Sequence, residues 1–248
     1  MRVFELPKRG STRDEYEDAH YYRHETNEKG EDVAFRLAVA DGATETSFSE
    51  KWARLLVRSY CAGRLDPATI ESTVQKLSVT WRRSVGERPL PWYAQEKLSA
   101  GAFAALAGLR LCEDRRWSTL AAGDCCVFQT RNDALLYSFP YLTAEEFDAR
   151  PKLLSSAPIP NVSANDHIKV DSGDWRPGDT FFLMTDALAA WFLRYSKLPD
   201  TDAVNFLKEL DNADDFARFV ELQRSDKQAN GQPLMRNDDV TLLVHTVY

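Results

Sequence analysis

The sequence has no apolar run approaching the about 18 residues that a membrane-spanning helix needs, so no membrane partner is expected. Its N-terminal stretch, MRVFELPKRG, lacks the apolar region of a secretory signal. Cysteine is scarce. Cys61, Cys112, Cys125 and Cys126 form no CxxC pair, and neighbouring Cys125 and Cys126 would point to opposite faces of a strand. Free thiols in a reducing, cytoplasmic compartment are expected. Histidine is scarce too: His20, His24, His167 and His245 show no HExxH or other zinc spacing. Nor is there a basic stripe. Lys and Arg number 31 against 38 Asp and Glu, for a net charge of −7. KWARLLVR and TWRRSVGER are mildly basic but lie in helical patterns, where solvated faces explain them, so a nucleic-acid partner is not expected. No internal repeat or low-complexity tract is found, and no appended sensor domain is expected.

What is present suffices for a substantial core. With 248 residues, 44% of them hydrophobic, one domain spanning residues 1–248 is the expectation. Strands are expected at 2–6, 18–25 and 34–40. SFSEKWARLLVRSYCAG reads as a helix, with Ser47 and Glu50 at capping-box spacing and Gly63 as its stop. A second helix opens at DPATIE, capped by Asp66, and runs to about Val85; PWYAQEKL reads as a short third. Then the pattern changes. GAFAALAGLRLC, WSTLAAG, CCVFQT and ALLYSF are short apolar runs separated by turn residues, a meander of strands. Residues 139–166, rich in Pro, Ser and Asn, read as a mobile insertion with one helical turn near TAEEF. HIKVDSG and DTFFLMT follow as strands. DALAAWFLRYS, TDAVNFLKEL and ADDFARFVELQRS are helices, and DDVTLLVHTVY closes as a strand. This order lacks regular βαβ alternation. It predicts α+β: antiparallel sheets with helices segregated onto their outer faces.

Acids stand at the ends of several of these strands. LAVADGATET carries Asp41, LMTDALAA carries Asp186 and NDDVTLLV carries Asp238 and Asp239. Glu17-Asp18 and Gly123-Asp124 adjoin others. Any one has an ordinary explanation: Asp186 as a helix cap, Asp41 turning with Gly42, Asp124 shaping a hairpin. Together they suggest a cluster. Carboxylates gathered without cations repel and raise one another's pKa, so a cluster implies bound divalent metal. All-oxygen ligands favour Mg²⁺ or Mn²⁺ over zinc.

The segments RDEYEDA (13–19), AVADGA, LSAGAFAAL, AAGDCCVF, FFLMTDALA and NDDVTLLV occur in that order along the chain. In that order they resemble the motifs of the metal-dependent protein phosphatases, the PPM-type or type 2C serine/threonine phosphatases, in their bacterial single-domain form. The resemblance implies a four-layer α-β-β-α sandwich: two antiparallel sheets flanked by helices. It implies hydrolysis of phosphoserine and phosphothreonine esters by in-line attack of a metal-bridging hydroxide. Asp41 would bridge two ions, with the Gly42 carbonyl as a ligand. Asp186 and Asp238 would hold one ion directly, and Glu17 and Asp18 the other or its water shell. Asp124, with Asp186, would support a third, weaker ion. Arg13 would reach the substrate phosphate; otherwise it is a surface partner of Asp14 or Glu15.

Three positions depart from the family pattern. Ala43 and Thr44 replace a His-Gly or Met-Gly step, removing a histidine general acid. Phe103 replaces a common threonine. Ala187 follows Asp186 where glycine is usual, which would disturb a positive-φ backbone. The insertion at 139–166 lies where bacterial relatives carry a flap, but lacks their Asp-His; Asp166-His167 opens the next strand instead. A monomer acting on a phosphorylated protein, opposed by a serine/threonine kinase, is the leading expectation. The alternatives are a catalytically weak regulator that binds a phosphoprotein, and a phosphohydrolase for small esters.

Overall fold

A computed structural model describes residues 1–44, 46, 48–86, 100–148, 150–198, 201–228 and 230–248. The expected helix at PWYAQEKL and the expected cap Ser47 lie outside the described residues. The chain divides into two compact units.

One unit comprises residues 1–16, 126–150 and 175–248. Its five-stranded sheet runs in the order β1 (Arg2–Leu6), β11 (Val240–Thr246), β10 (Thr180–Met184), β6 (Cys126–Arg131), β7 (Ala134–Phe139). All of its pairings are antiparallel. Alternate residues of four strands, among them Phe4, Phe128, Phe182 and Leu242, project from one face into an apolar cluster. On that face pack α3 (Asp186–Tyr195), α4 (Ala203–Glu209) and α5 (Ala213–Ser225). The helical spacing of Leu188, Trp191 and Phe192, and of Phe216, Phe219 and Val220, supplies the stripes they bury.

The other unit comprises residues 17–125 and 151–174. Its path runs β2 (Ala19–Thr26), β3 (Asp32–Gly42), β4 (Phe103–Cys112), β5 (Arg116–Ala122), β9 (Ile168–Asp174), with β8 (Leu154–Ser155) paired to β4. Again every pairing is antiparallel. Ala38 and Ala40 of β3, Leu106 of β4 and Leu120 of β5 face Trp52 and Leu56 of α1 (Ser49–Cys61) and Trp81 of α2 (Ile70–Gly86). Both sheets thus carry their helices on one face, as expected of an α+β chain. Leu37 and Val39, on the alternate face of β3, are fully buried too. This is why LAVA reads as continuous apolar sequence rather than as an alternation.

Several local expectations change. Helix α1 starts after Phe48, which sits in left-handed conformation with φ 60° and no side-chain cap. Asp66 caps a turn rather than the helix itself. Its carboxylate accepts the Ala68 and Thr69 N–H groups at 2.8 and 3.1 Å, and α2 proper begins at Ile70. Within 139–166, a 3₁₀ turn occupies Ala144–Asp148, where the turn near TAEEF was expected, and β8 was not foreseen. Asp166 and His167 end a 3₁₀ turn, Ala164–His167, just before β9. Ala187 lies within helix α3 and is not among the positive-φ residues, so alanine introduces no backbone strain there.

Candidate metal centre

In the second unit, β3 delivers Asp41 and Gly42 at its end, in register with Ala105 and Ala104 of β4. Gly42 is where the backbone is tightest. A Cβ there would lie 2.8 Å from the Glu17 carbonyl oxygen and 2.9 Å from the Ser49 backbone carbon. Only glycine lets β3, the start of α1 and the segment before β2 meet so closely. That approach also fixes Glu17, whose carboxylate accepts the Ser49 hydroxyl at 2.7 Å. Asp18, next in line, is buried. Asp124 follows Gly123, whose φ of +81° turns the chain after β5. That turn brings the Asp124 carboxylate within 4.8 Å of that of Asp41. Two carboxylates this close repel unless a cation lies between them. The donors are oxygens, which suits Mg²⁺ or Mn²⁺.

In the first unit, Asp186 opens α3 after Thr185, and its carboxylate accepts the Ala187 N–H in a short contact. The Thr185 hydroxyl accepts the Thr241 N–H at 2.9 Å, tying the end of β10 to β11. Asp238 precedes β11. Its carbonyl accepts from Arg224, whose guanidinium is buried and also donates to the Pro7 carbonyl at 3.1 Å. Asp239 is buried and accepts the Lys8 N–H at 2.8 Å. Arg236 donates to Asp186 in a short contact and to Asp238 at 3.1 Å. Burial pushes the Asp186 carboxyl up from its ordinary pKa; the Arg236 guanidinium opposes this and the Asp238 charge adds to it.

Arg13 lies in a 3₁₀ turn and pairs with Glu5 at 2.8 Å, rather than with Asp14 or Glu15, while its side chain stays exposed. Phe103 opens β4; its carbonyl accepts the Ala43 N–H at 2.9 Å, and it pairs with Ser155 of β8. Sequence reasoning did not single out Ser49, Arg224 or Arg236. Arg236 had a signal in MRNDD, a cation two residues before an expected ligand. The partner of Ser49, Glu17, and the carbonyl partners of Arg224, on Pro7 and Asp238, are distant in sequence and left no local trace.

Two antiparallel sheets, each carrying helices on one face, are also the fold of solved phosphatases. Solved structures with this fold include RsbX in complex with magnesium, at 18% identity and TM-score 0.54, over 99% of this chain and 94% of that one. The catalytic domain of the serine/threonine phosphatase PstP with two manganese ions is 15% identical at TM-score 0.58, over 100% and 98%. A bacterial serine phosphatase is 12% identical at TM-score 0.63, over 100% and 97%. No curated protein sequence matches. Residues 12–234 match the protein phosphatase 2C family, and the chain belongs to that family.

Proposed function

We propose that the chain is a Mg²⁺- or Mn²⁺-dependent protein serine/threonine phosphatase. In this reading Asp41 and the Gly42 carbonyl would help to hold two ions. Asp186 and Asp238 would hold one of them directly, and Glu17 and Asp18 the other or its water shell. Asp124, with Asp186, would support a third, weaker ion. Arg13 leaves Glu5 to fork onto the substrate phosphoryl oxygens, which its planar guanidinium suits. The bound ions supply a water of lowered pKa for in-line attack and neutralise charge on the phosphoryl group. Water displaces the serine or threonine alkoxide, giving inorganic phosphate and the free hydroxyl. With Ala43 in place of a histidine, the leaving oxygen takes its proton from water.

The observation that carries this reading is the approach of Asp41 to Asp124 beside a glycine that admits no side chain. The partner is a phosphoprotein, opposed by a serine/threonine kinase. The chain acts as a cytoplasmic monomer, one domain over residues 1–248, with 139–166 as its flap. None of the described helices is long and apolar enough to cross a membrane.

Hydrolysis of a phosphothreonine peptide and of an aryl phosphate, with Mn²⁺ and with chelator, tests the reading. Mn²⁺-dependent turnover of the peptide, lost in Asp41→Ala and Asp186→Ala, is expected. Mn²⁺ binding without turnover of either substrate would make the chain a phosphoprotein-binding regulator. Turnover of the aryl ester alone would make it a small-ester hydrolase.

A further inference from the structure

A guanidinium already occupies the oxygens assigned above to an ion. Arg236 contacts the Asp186 carboxylate and stands 3.1 Å from that of Asp238. The Asp186 side chain is 7% exposed and that of Arg236 58%, so the cation reaches inward from an exposed stem. A guanidinium and a divalent ion satisfy the same need: each neutralises paired carboxylates and fills their lone pairs. At the same oxygens the two positive charges repel, so each weakens the other's hold. We infer that Arg236 is an internal counter-ion that holds Asp186 and Asp238 while the metal is absent and must leave before it binds. Arg236 thereby sets the cation concentration at which this half of the centre loads. The inference rests on the metal-centre reading above.

The surroundings give the side chain somewhere to go. Arg236 and Asp186 line a cavity of 350 Å³ with Gln228 and Gln232, whose amides accept from a guanidinium. Loading is then an exchange. The guanidinium moves from carboxylates to amides and water, and the ion takes its place. The observed affinity for metal is the intrinsic one multiplied by the fraction of chains in which Arg236 has left the carboxylates. An arginine that merely braced the β11 approach would behave otherwise, since its loss would loosen Asp238 and weaken metal binding.

Calorimetric Mn²⁺ titration of the wild type, Arg236→Gln and Arg236→Lys, with melting curves in chelator, separates these cases. Arg236→Gln should bind Mn²⁺ about tenfold more tightly than wild type. Arg236→Lys, which keeps the charge without the fork, should fall between. In chelator the Gln variant should melt lower, yet gain more from Mn²⁺. Equal or weaker Mn²⁺ binding by Arg236→Gln would overturn the inference while leaving the metal centre standing. No Mn²⁺ binding by any of the three would overturn both.

Discussion

Gly42 leaves no space for a methyl group, because the atoms it would meet are the backbone of residues 17 and 49 rather than movable side-chain ends. Gly42→Ala should therefore destabilise the protein by about 1–3 kcal/mol in urea unfolding and shift Glu17 from its bond to Ser49. Unchanged stability would mean that the three segments can separate at little cost. Glu25 carries the other residue-level prediction. It accepts from Arg110 at 2.9 and 3.0 Å and from Arg36 at 2.7 Å. The Arg110 guanidinium foremost, helped by Arg36 against partial burial, holds its pKa near 2 rather than 4.5. A depressed carboxylate pKa adds stability that is fully present above about 4.5 and is lost as pH falls through about 2. In urea midpoints measured across that window, Glu25→Gln should show a shallower fall than wild type. Parallel curves would deny the pairing any part in acid sensitivity.

Elements are tied to one another by a few buried polar groups, and these were the hardest features to foresee. Asp179, before β10, is 1% exposed and receives the Gln129 amide at 2.7 Å, the Arg131 guanidinium at 2.7 and 2.8 Å, and the Arg176 N–H at 2.9 Å. Burial alone would raise its pKa, but Arg131 and the other two donors bring it below the ordinary value. Asp179→Ala strands those donors and should cost about 2–4 kcal/mol in chemical denaturation. A loss under about 0.5 kcal/mol, typical of surface sites, would show that water replaces the carboxylate. Trp52 of α1 is fully buried and donates to the Leu154 carbonyl at 2.9 Å, joining that helix to β8. Most long elements could be read from periodicity, such as α1 from its Trp52, Leu56 and Tyr60 stripe and β4 from an unbroken apolar run. Strand β8 could not, because two residues carry no period. Phe48 could not either, since tertiary packing holds it at a positive φ that its side chain disfavours. The candidate ligands stood out because acids at the ends of apolar strands are costly without a purpose. Glu5 as the partner of Arg13, and Asp186 as a partner of Arg236 fifty residues away, are contacts of the folded chain that spacing does not encode.

For the molecule as a whole, the proposed metal centre would couple metal binding to folding. Mn²⁺ at about a hundred times its dissociation constant should stabilise the chain by about 2.7 kcal/mol, read as a rise in melting temperature reversed by chelator. Asp41→Asn removes the charge that lies within 4.8 Å of Asp124. It should raise the melting temperature in chelator and abolish most of the Mn²⁺-dependent rise. The most direct test is the number of Mn²⁺ ions bound per chain, from calorimetric titration of wild type and Asp41→Asn. More than one ion in the wild type, with binding lost or much weakened in the variant, is the predicted result. A wild-type chain that takes up no Mn²⁺, or a variant that binds it just as well, would contradict a metal centre built on Asp41.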